Sequence, residues 1–161
     1  MRIQDDFKPR IFISSTSKDL IEHREHLLPA LTQAGYDYIA MEEFGARDAD
    51  AIDVSLREVR SCDIFVGIYA RRYGYIPNDP RNPQRRSITE MEYHEAVDLG
   101  KPRFIFVVDS TYDEPGSLIV RHSDIRLPPV VEDMSDSERD EIAHRAKRMK
   151  QFLKTVGATR V

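Results

Sequence analysis

Three glutamates fall within two turns of the stretch SITEMEYHEAVDLGKP, Ser87 to Pro102: Glu90, Glu92 and Glu95. A carboxylate on a helix surface is ordinary. Turned inward at the rim of a sheet it loses hydration, and must be paired, protonated or open to a cleft. In such a place an ionised carboxylate can stabilise positive charge developing in a bound substrate. At about 100° per residue, Ile88, Met91, Ala96 and Leu99 form one apolar stripe, and Glu92 falls inside it. Glu90 falls on the opposite side, and Ser87-x-x-Glu90 is a capping box, which accounts for it as a helix-start device. Glu95 shares the inward face one turn deeper, so position favours Glu92 without excluding Glu95. The bland reading of Glu92 is a structural ion pair. A partner exists in Arg24, in the middle of the Leu20, Leu27 and Leu31 stripe of an earlier helix. Arg24 would pair with a carboxylate at the core edge or clamp an anion.

Other residue groups carry weaker signals. Ser14, Ser15 and Thr16 follow an apolar run and offer hydroxyls to a polar ligand, but the same residues are common helix caps. Arg81, Arg85 and Arg86 sit in a Pro/Asn-rich loop and read as a solvated cluster. Cys62 is the single cysteine, which excludes an internal disulfide and a cysteine-based metal site. It reads as a packed thiol. The five histidines show no metal-ligand grouping, so no metal is assigned. There is no GxGxxG, GxxxxGK[ST] or GxSxG, so the usual nucleotide-binding and hydrolase signatures are absent.

These residues need elements to hold them. RIFIS (10–14) reads as a buried strand, followed by a helix over about 18–34 that Pro29 should kink or split. YDYIA (36–40) is a second strand, and a helix follows over 51–61. DIFVGIYA (63–70) is a third strand, and a proline-bearing loop, 71–86, leads to the helix with the three glutamates. RFIFVVD (103–109) is a fourth strand. Residues 110–134 resist assignment. Ser135-x-x-Glu138 is a capping box that opens a charged helix to about Val156. ATRV at the end reads as the start of a fifth strand. Strands alternating with helices predict an α/β fold, a parallel sheet covered on both faces. Ligands then bind beyond the carboxyl ends of the strands. That rim holds Ser14–Ser17, Met41–Asp48, Tyr69–Arg86 and the first turn of the Ser87 helix.

The chain has 161 residues, enough for one domain with a core. At 40% hydrophobic and 32% charged it reads as globular. A net charge of −4 gives no reason to expect a nucleic-acid or membrane surface. With no signal-peptide pattern and no apolar run near ~18 residues, the expected location is cytoplasmic. The strand reading at the C-terminus predicts an N-terminal fragment of something longer.

RIFISSTSKDL, the arginine in EHREHLLPAL, SCDIFVGIYARRYG, SITEMEYHEA and LGKPRFIFV together resemble the DUF4062 family, a domain similar to Toll/interleukin-1 receptor (TIR) domains. The similarity covers about Arg10 to Asp109. FISSTSKD resembles the FIS-x-x-x-x-D opening of TIR domains. EYHEAVDLGKP resembles the E-x-x-x-A segment that they share with nucleoside deoxyribosyltransferases. The resemblance implies a flavodoxin-like three-layer sandwich with strand order 2-1-3-4-5, and a single domain over 1–161 whose C-terminal extension carries the 135–156 helix. It implies that Glu92 is catalytic, in agreement with the helix wheel. It also implies larger parent proteins with NTPase or repeat domains, and self-association for activity. Two departures stand out: Glu90 and Met91 occupy the turn before Glu92, and the RRYG loop has no clear counterpart in typical TIR enzymes.

Two functions stay open. One is a TIR-like signalling or effector domain that cleaves the nicotinamide–ribose bond of NAD as a nucleosidase. There Ser14, Ser15 and Thr16 would line the ribose or phosphate, and Arg72 and Tyr73 would cover the ligand; NAD would be substrate, with no bound cofactor. The other is a non-catalytic assembly or adaptor domain, with Glu92 closed over by an arginine. Deoxyribosyl transfer is a minor third.

Overall fold

The apolar runs become strands. The computed structural model describes residues 8–16, 20–40, 48–70, 72–108 and 135–158. Strands β1 (Arg10–Ser15), β2 (Asp37–Ala40), β3 (Ile64–Tyr69) and β4 (Arg103–Val107) form one sheet, every pair parallel, in the order β2-β1-β3-β4. This is the expected flavodoxin-like order without a fifth strand among the described residues. Ala158 instead ends a helix, and 159–161 lie outside the described residues. So do the rim stretches 17–19 and 41–47, and the unassigned 109–134.

Helix α1 (Ile21–Gln33) connects β1 to β2, α2 (Asp48–Ser61) connects β2 to β3, and α3 (Ile88–Asp98) connects β3 to β4. A last helix, α4, spans Asp136–Ala158. Alternation along the strands divides the core into two layers. Ile11, Ile13, Val66 and Ile68 face α1 and meet Leu27, Leu28 and Leu31. Phe12, Phe65 and Tyr69 face the other way. They meet Val59 of α2, Tyr93 and Ala96 of α3, and Met149, Phe152 and Val156 of α4. The result is α1 on one side and α2, α3 and α4 on the other.

Pro29 does not split α1, which runs through it. Ser87 caps α3 as expected, its hydroxyl accepting from the Glu90 N–H at 3.2 Å. The helix closes at Gly100, whose φ of +63° only a glycine adopts freely. The Ser135/Glu138 capping box is complete: Glu138 N–H donates to Ser135 Oγ, and Ser135 N–H donates to the Glu138 carboxylate at 2.9 Å.

Helix α4 is more than a charged extension. Met149, Phe152 and Val156 are buried at helical spacing, each contributing roughly 1.5–3 kcal/mol by burial. Arg145 adds a hydrogen bond to the Gly74 carbonyl at 2.9 Å, and Arg85 of the 72–86 loop pairs with Glu141. The loop arginines are therefore engaged rather than merely solvated, with Arg81 bound to Asp53 and Asp79.

Candidate active site

Because all four strands run parallel, their carboxyl ends share one edge, and the N-terminal turns of α2 and α3 lie at that edge. Glu92, one turn into α3, is buried there at 5% exposure. The wheel argument is correct for this residue. Its two oxygens are held by hydroxyls from two other elements. Ser14 near the end of β1 donates to Oε2 at 2.6 Å, and Ser55 of α2 donates to Oε1 at 2.5 Å. Both serines are themselves buried. Burial pushes the Glu92 carboxyl up to about 7, against the opposing pull of the two hydroxyls and the charge of Arg24. Near neutral pH it is divided between its two protonation states.

Arg24 is buried, and its Nη1 donates to Ser15 Oγ at 2.9 Å. Ser14 and Ser15 are consecutive on a strand, so they point to opposite faces. Ser14 faces α3 and Glu92; Ser15 faces α1 and Arg24. The expected serine wall is thus split across the sheet. Thr16 is buried beneath the loop at Gly74, where an added Cβ would lie 3.3 Å from its methyl. Arg72 is exposed. Tyr73 turns away from Glu92: its hydroxyl donates to the Glu90 carboxylate and accepts from Arg148 Nε at 3.1 Å.

Glu90 needs correction. Capping does not account for its side chain, which is buried rather than solvent-facing. The reason is α4, which covers that side of α3. Arg148 Nη2 donates to Glu90 at 2.6 Å, with Arg86 at 3.7 Å and His94 at 3.6 Å. Burial alone would raise this carboxyl, but His94, Tyr73, Arg148 and Arg86 outweigh it and hold it below its ordinary value. Glu95 is likewise settled, in an ion pair with Arg60 of α2 at 2.5 Å. Leu99, placed on the apolar stripe by the wheel, is exposed because α3 has ended by then.

Three residues of this region escape a reading of the glutamate helix alone: Ser55, Tyr69 and Arg148. Ser55 had a signal. It falls among Ala51, Ile52 and Val59, a hydroxyl inside the apolar stripe of α2. Arg148 had none, because nothing in its own helix shows which carboxylate it will meet. Among the described residues no group of three or more His, Cys, Asp or Glu side chains could hold a metal ion, and no helix is long and apolar enough to cross a membrane.

A family model described as a domain of unknown function, DUF4062, matches residues 10–159. Among curated proteins, telomerase protein component 1 of Rattus norvegicus is 30% identical over 172 residues, covering 89% of this chain and 6% of that protein. Its Mus musculus counterpart matches with the same identity and coverage, 30% over 172 residues, 89% and 6%. The chain thus spans a small part of these relatives. Among solved structures, the Clostridium botulinum CMP N-glycosidase BcmB aligns with a TM-score of 0.41 and 20% identity, over 61% of this chain and 71% of that one.

Proposed function

The chain belongs to the DUF4062 family, and we propose that it is a TIR-like signalling or effector domain whose Glu92 serves the cleavage of an N-glycosidic bond, with NAD as the substrate. The observation that carries this reading is the environment of Glu92. Its carboxylate is held by two hydroxyls instead of a guanidinium, in a buried position at the ligand-binding edge of a parallel sheet.

The chemistry follows from that setting. The bond from ribose C1 to the nicotinamide nitrogen breaks, and its electron pair leaves with the base. Nicotinamide departs neutral, so no strong general acid is required. Positive charge develops across C1 and the ring oxygen, and an ionised Glu92 in a low-dielectric site stabilises it. Water then adds to C1 and releases a proton. Thr16 and Ser14 would face the ribose, and the loop that carries Arg72 and Tyr73 would cover the ligand. Arg24, on the far face with Ser15 as its hydroxyl partner, would supply positive charge at the strand ends for the phosphates. Glu92 is closed in within a single chain, which fits a site that opens or completes on self-association. NTPase or repeat domains in a parent protein, acting in the cytoplasm, would be the source of that signal.

The same closure favours the adaptor as second reading: a fully hydrogen-bonded, covered carboxylate can also be structural. One experiment separates them. The protein in its assembled state is incubated with NAD and nicotinamide is quantified, for the native chain and Glu92→Gln. Release by the native chain and loss in the variant support the enzyme. Release that persists unchanged in the variant removes Glu92 from the mechanism, and no release in any assembled state supports the adaptor.

A further inference from the structure

Tyr69 closes β3 with its ring in the main core, edge-on to Phe152 at 4.9 Å and to Tyr93 at 6.4 Å between ring centres. Its hydroxyl is buried and has no partner in hydrogen-bond geometry. A buried orphan hydroxyl costs on the order of 1–3 kcal/mol, so its persistence calls for a reason. The backbone is built to admit it. Gly67, two residues earlier on the same face, lies under the phenol, and a Cβ there would sit 2.5 Å from Tyr69 Oη. Gly67 is also the register partner of Ser14 on β1. The phenol is thereby laid back along β3 until it stands beside the Ser14 hydroxyl, the one that donates to Glu92.

We infer that Tyr69 is a positioning residue for Glu92: its hydroxyl, unpartnered as it stands, closes on Ser14 by a small shift of the ring, and Tyr69, Ser14 and the carboxylate then form one directed hydroxyl chain.

The direction follows from what each group can do. Burial, moderated by Ser14 and reinforced by Glu92, raises the phenol well above its ordinary range, so it keeps its proton and acts as a donor. Ser14 has one proton and two lone pairs. Accepting from Tyr69 leaves that proton free to point at Glu92 Oε2, 2.6 Å away. A protonated Oε2 would have to donate back to Ser14, and either the serine or the tyrosine proton would then be buried without an acceptor. The chain thus favours the ionised carboxylate, the form that stabilises a cationic sugar. The charged and titratable groups that act on Glu92 are Arg24, through its charge from α1 across the sheet, and Tyr69 from β3, while Glu90 and Tyr93 lie on its own helix.

The catalytic purpose of this chain rests on the proposed role of Glu92, but its existence does not. The test therefore reads the carboxyl group and not turnover. The Glu92 side-chain carboxyl is titrated by carbon-13 NMR in the full chain, in Tyr69→Phe, in Ser14→Ala and in the double variant. Phenylalanine keeps the ring that packs on Phe152 and Tyr93. Tyr69→Phe is expected to raise the Glu92 midpoint by roughly 0.2–0.6 pH units, the share of a charged hydrogen bond that a cooperative neighbour supplies. In the Ser14→Ala background the same change is expected to shift nothing. An unmoved midpoint in Tyr69→Phe overturns the inference, as does an equal shift with and without Ser14. Should Ser14→Ala fail to fold, the Tyr69→Phe titration alone decides. Loss of NAD cleavage with a normal titration bears on the proposed reaction, and a flat titration response bears on the hydroxyl chain.

Discussion

Replacing Glu92 by glutamine should make the protein more stable above neutral pH and slightly less stable below pH 5. The reasoning starts from the folded-state value of about 7 against the ordinary 4.5 for a glutamate. A carboxyl with a raised value binds its proton more tightly when folded. Its contribution is therefore most favourable below 4.5 and is lost as pH rises through 7. At about 1.4 kcal/mol per pH unit, that interval corresponds to about 3 kcal/mol of stability lost across the window. Glutamine keeps the shape and removes the titration. Its amide can accept from one serine, but its NH2 must face the other, which costs about 1 kcal/mol. The variant should thus trail the native chain by about 1 kcal/mol at pH 4.5 and lead it by about 2 kcal/mol at pH 8. The latter is a rise in Tm of roughly 4–8 °C for a chain of this size. The assay is urea denaturation of both proteins at half-unit steps from pH 4.5 to 8. The difference between the two curves isolates Glu92, since every other titrating group cancels to first order. A native chain more stable than the variant by the same margin at every pH would refute the argument, because Glu92 would then ionise as freely folded as unfolded.

Removing the second hydroxyl should move the same group further. Ser55→Ala deletes one of two donors to a buried carboxylate and should raise its NMR midpoint by about 1–2 pH units. A shift of only a few tenths would mean that Ser14 alone holds Glu92. Glu90 should behave in the opposite sense. Its value is depressed, so its stabilising effect is present above 4.5 and is lost as pH falls through the lower folded value. Glu90→Gln should weaken the hold on Arg148 by about 1–2 kcal/mol and speed amide exchange in α4 about tenfold near pH 7. Unchanged exchange would assign the docking of α4 to Met149, Phe152 and Val156 alone.

The fold was legible because its signals are local. Four apolar runs separated by amphipathic helices leave little choice but a parallel sheet, and the strand order of the described residues agrees with the family resemblance. Glu92 was legible for the same reason, since its position in an apolar stripe depends only on helix geometry. The errors arose where a distant element decides. Glu90 looked solvent-facing on the wheel because nothing in α3 reveals that α4 covers it. Tyr73 belonged to a rim loop and seemed available to a ligand. Its partner is set by how that loop meets α3 and α4, which no local pattern encodes. Ser14, Ser15 and Thr16 read as one polar patch because adjacency in sequence hides the pleat. Consecutive strand residues face opposite layers, and this alone divides Ser14 with Glu92 from Ser15 with Arg24.

Two carboxylates two residues apart on α3 have been given opposite surroundings, and the contrast bears on what each is for. Glu90 receives two guanidiniums, a phenol and an imidazole. That is how a protein keeps a buried charge permanently ionised and uses it to fasten one helix to another. Glu92 receives two hydroxyls, while Arg24, whose charge acts on it across the sheet, donates to a serine on the other face. Hydroxyls solvate a carboxylate without cancelling its charge, so the field it projects into the rim is preserved. A purely structural acid would tie β1, α2 and α3 together in this arrangement, and would pay for it with the raised proton affinity. A group that must meet a transient cation gains directly, since a resident arginine would already occupy its charge. Environments that drive neighbouring acids apart in proton affinity commonly assign them separate tasks. By that logic Glu90 holds α4 in place, and Glu92 has the surroundings that the proposed function requires of it. The stability crossover of Glu92→Gln is the measurement that tells whether the raised proton affinity behind this contrast exists.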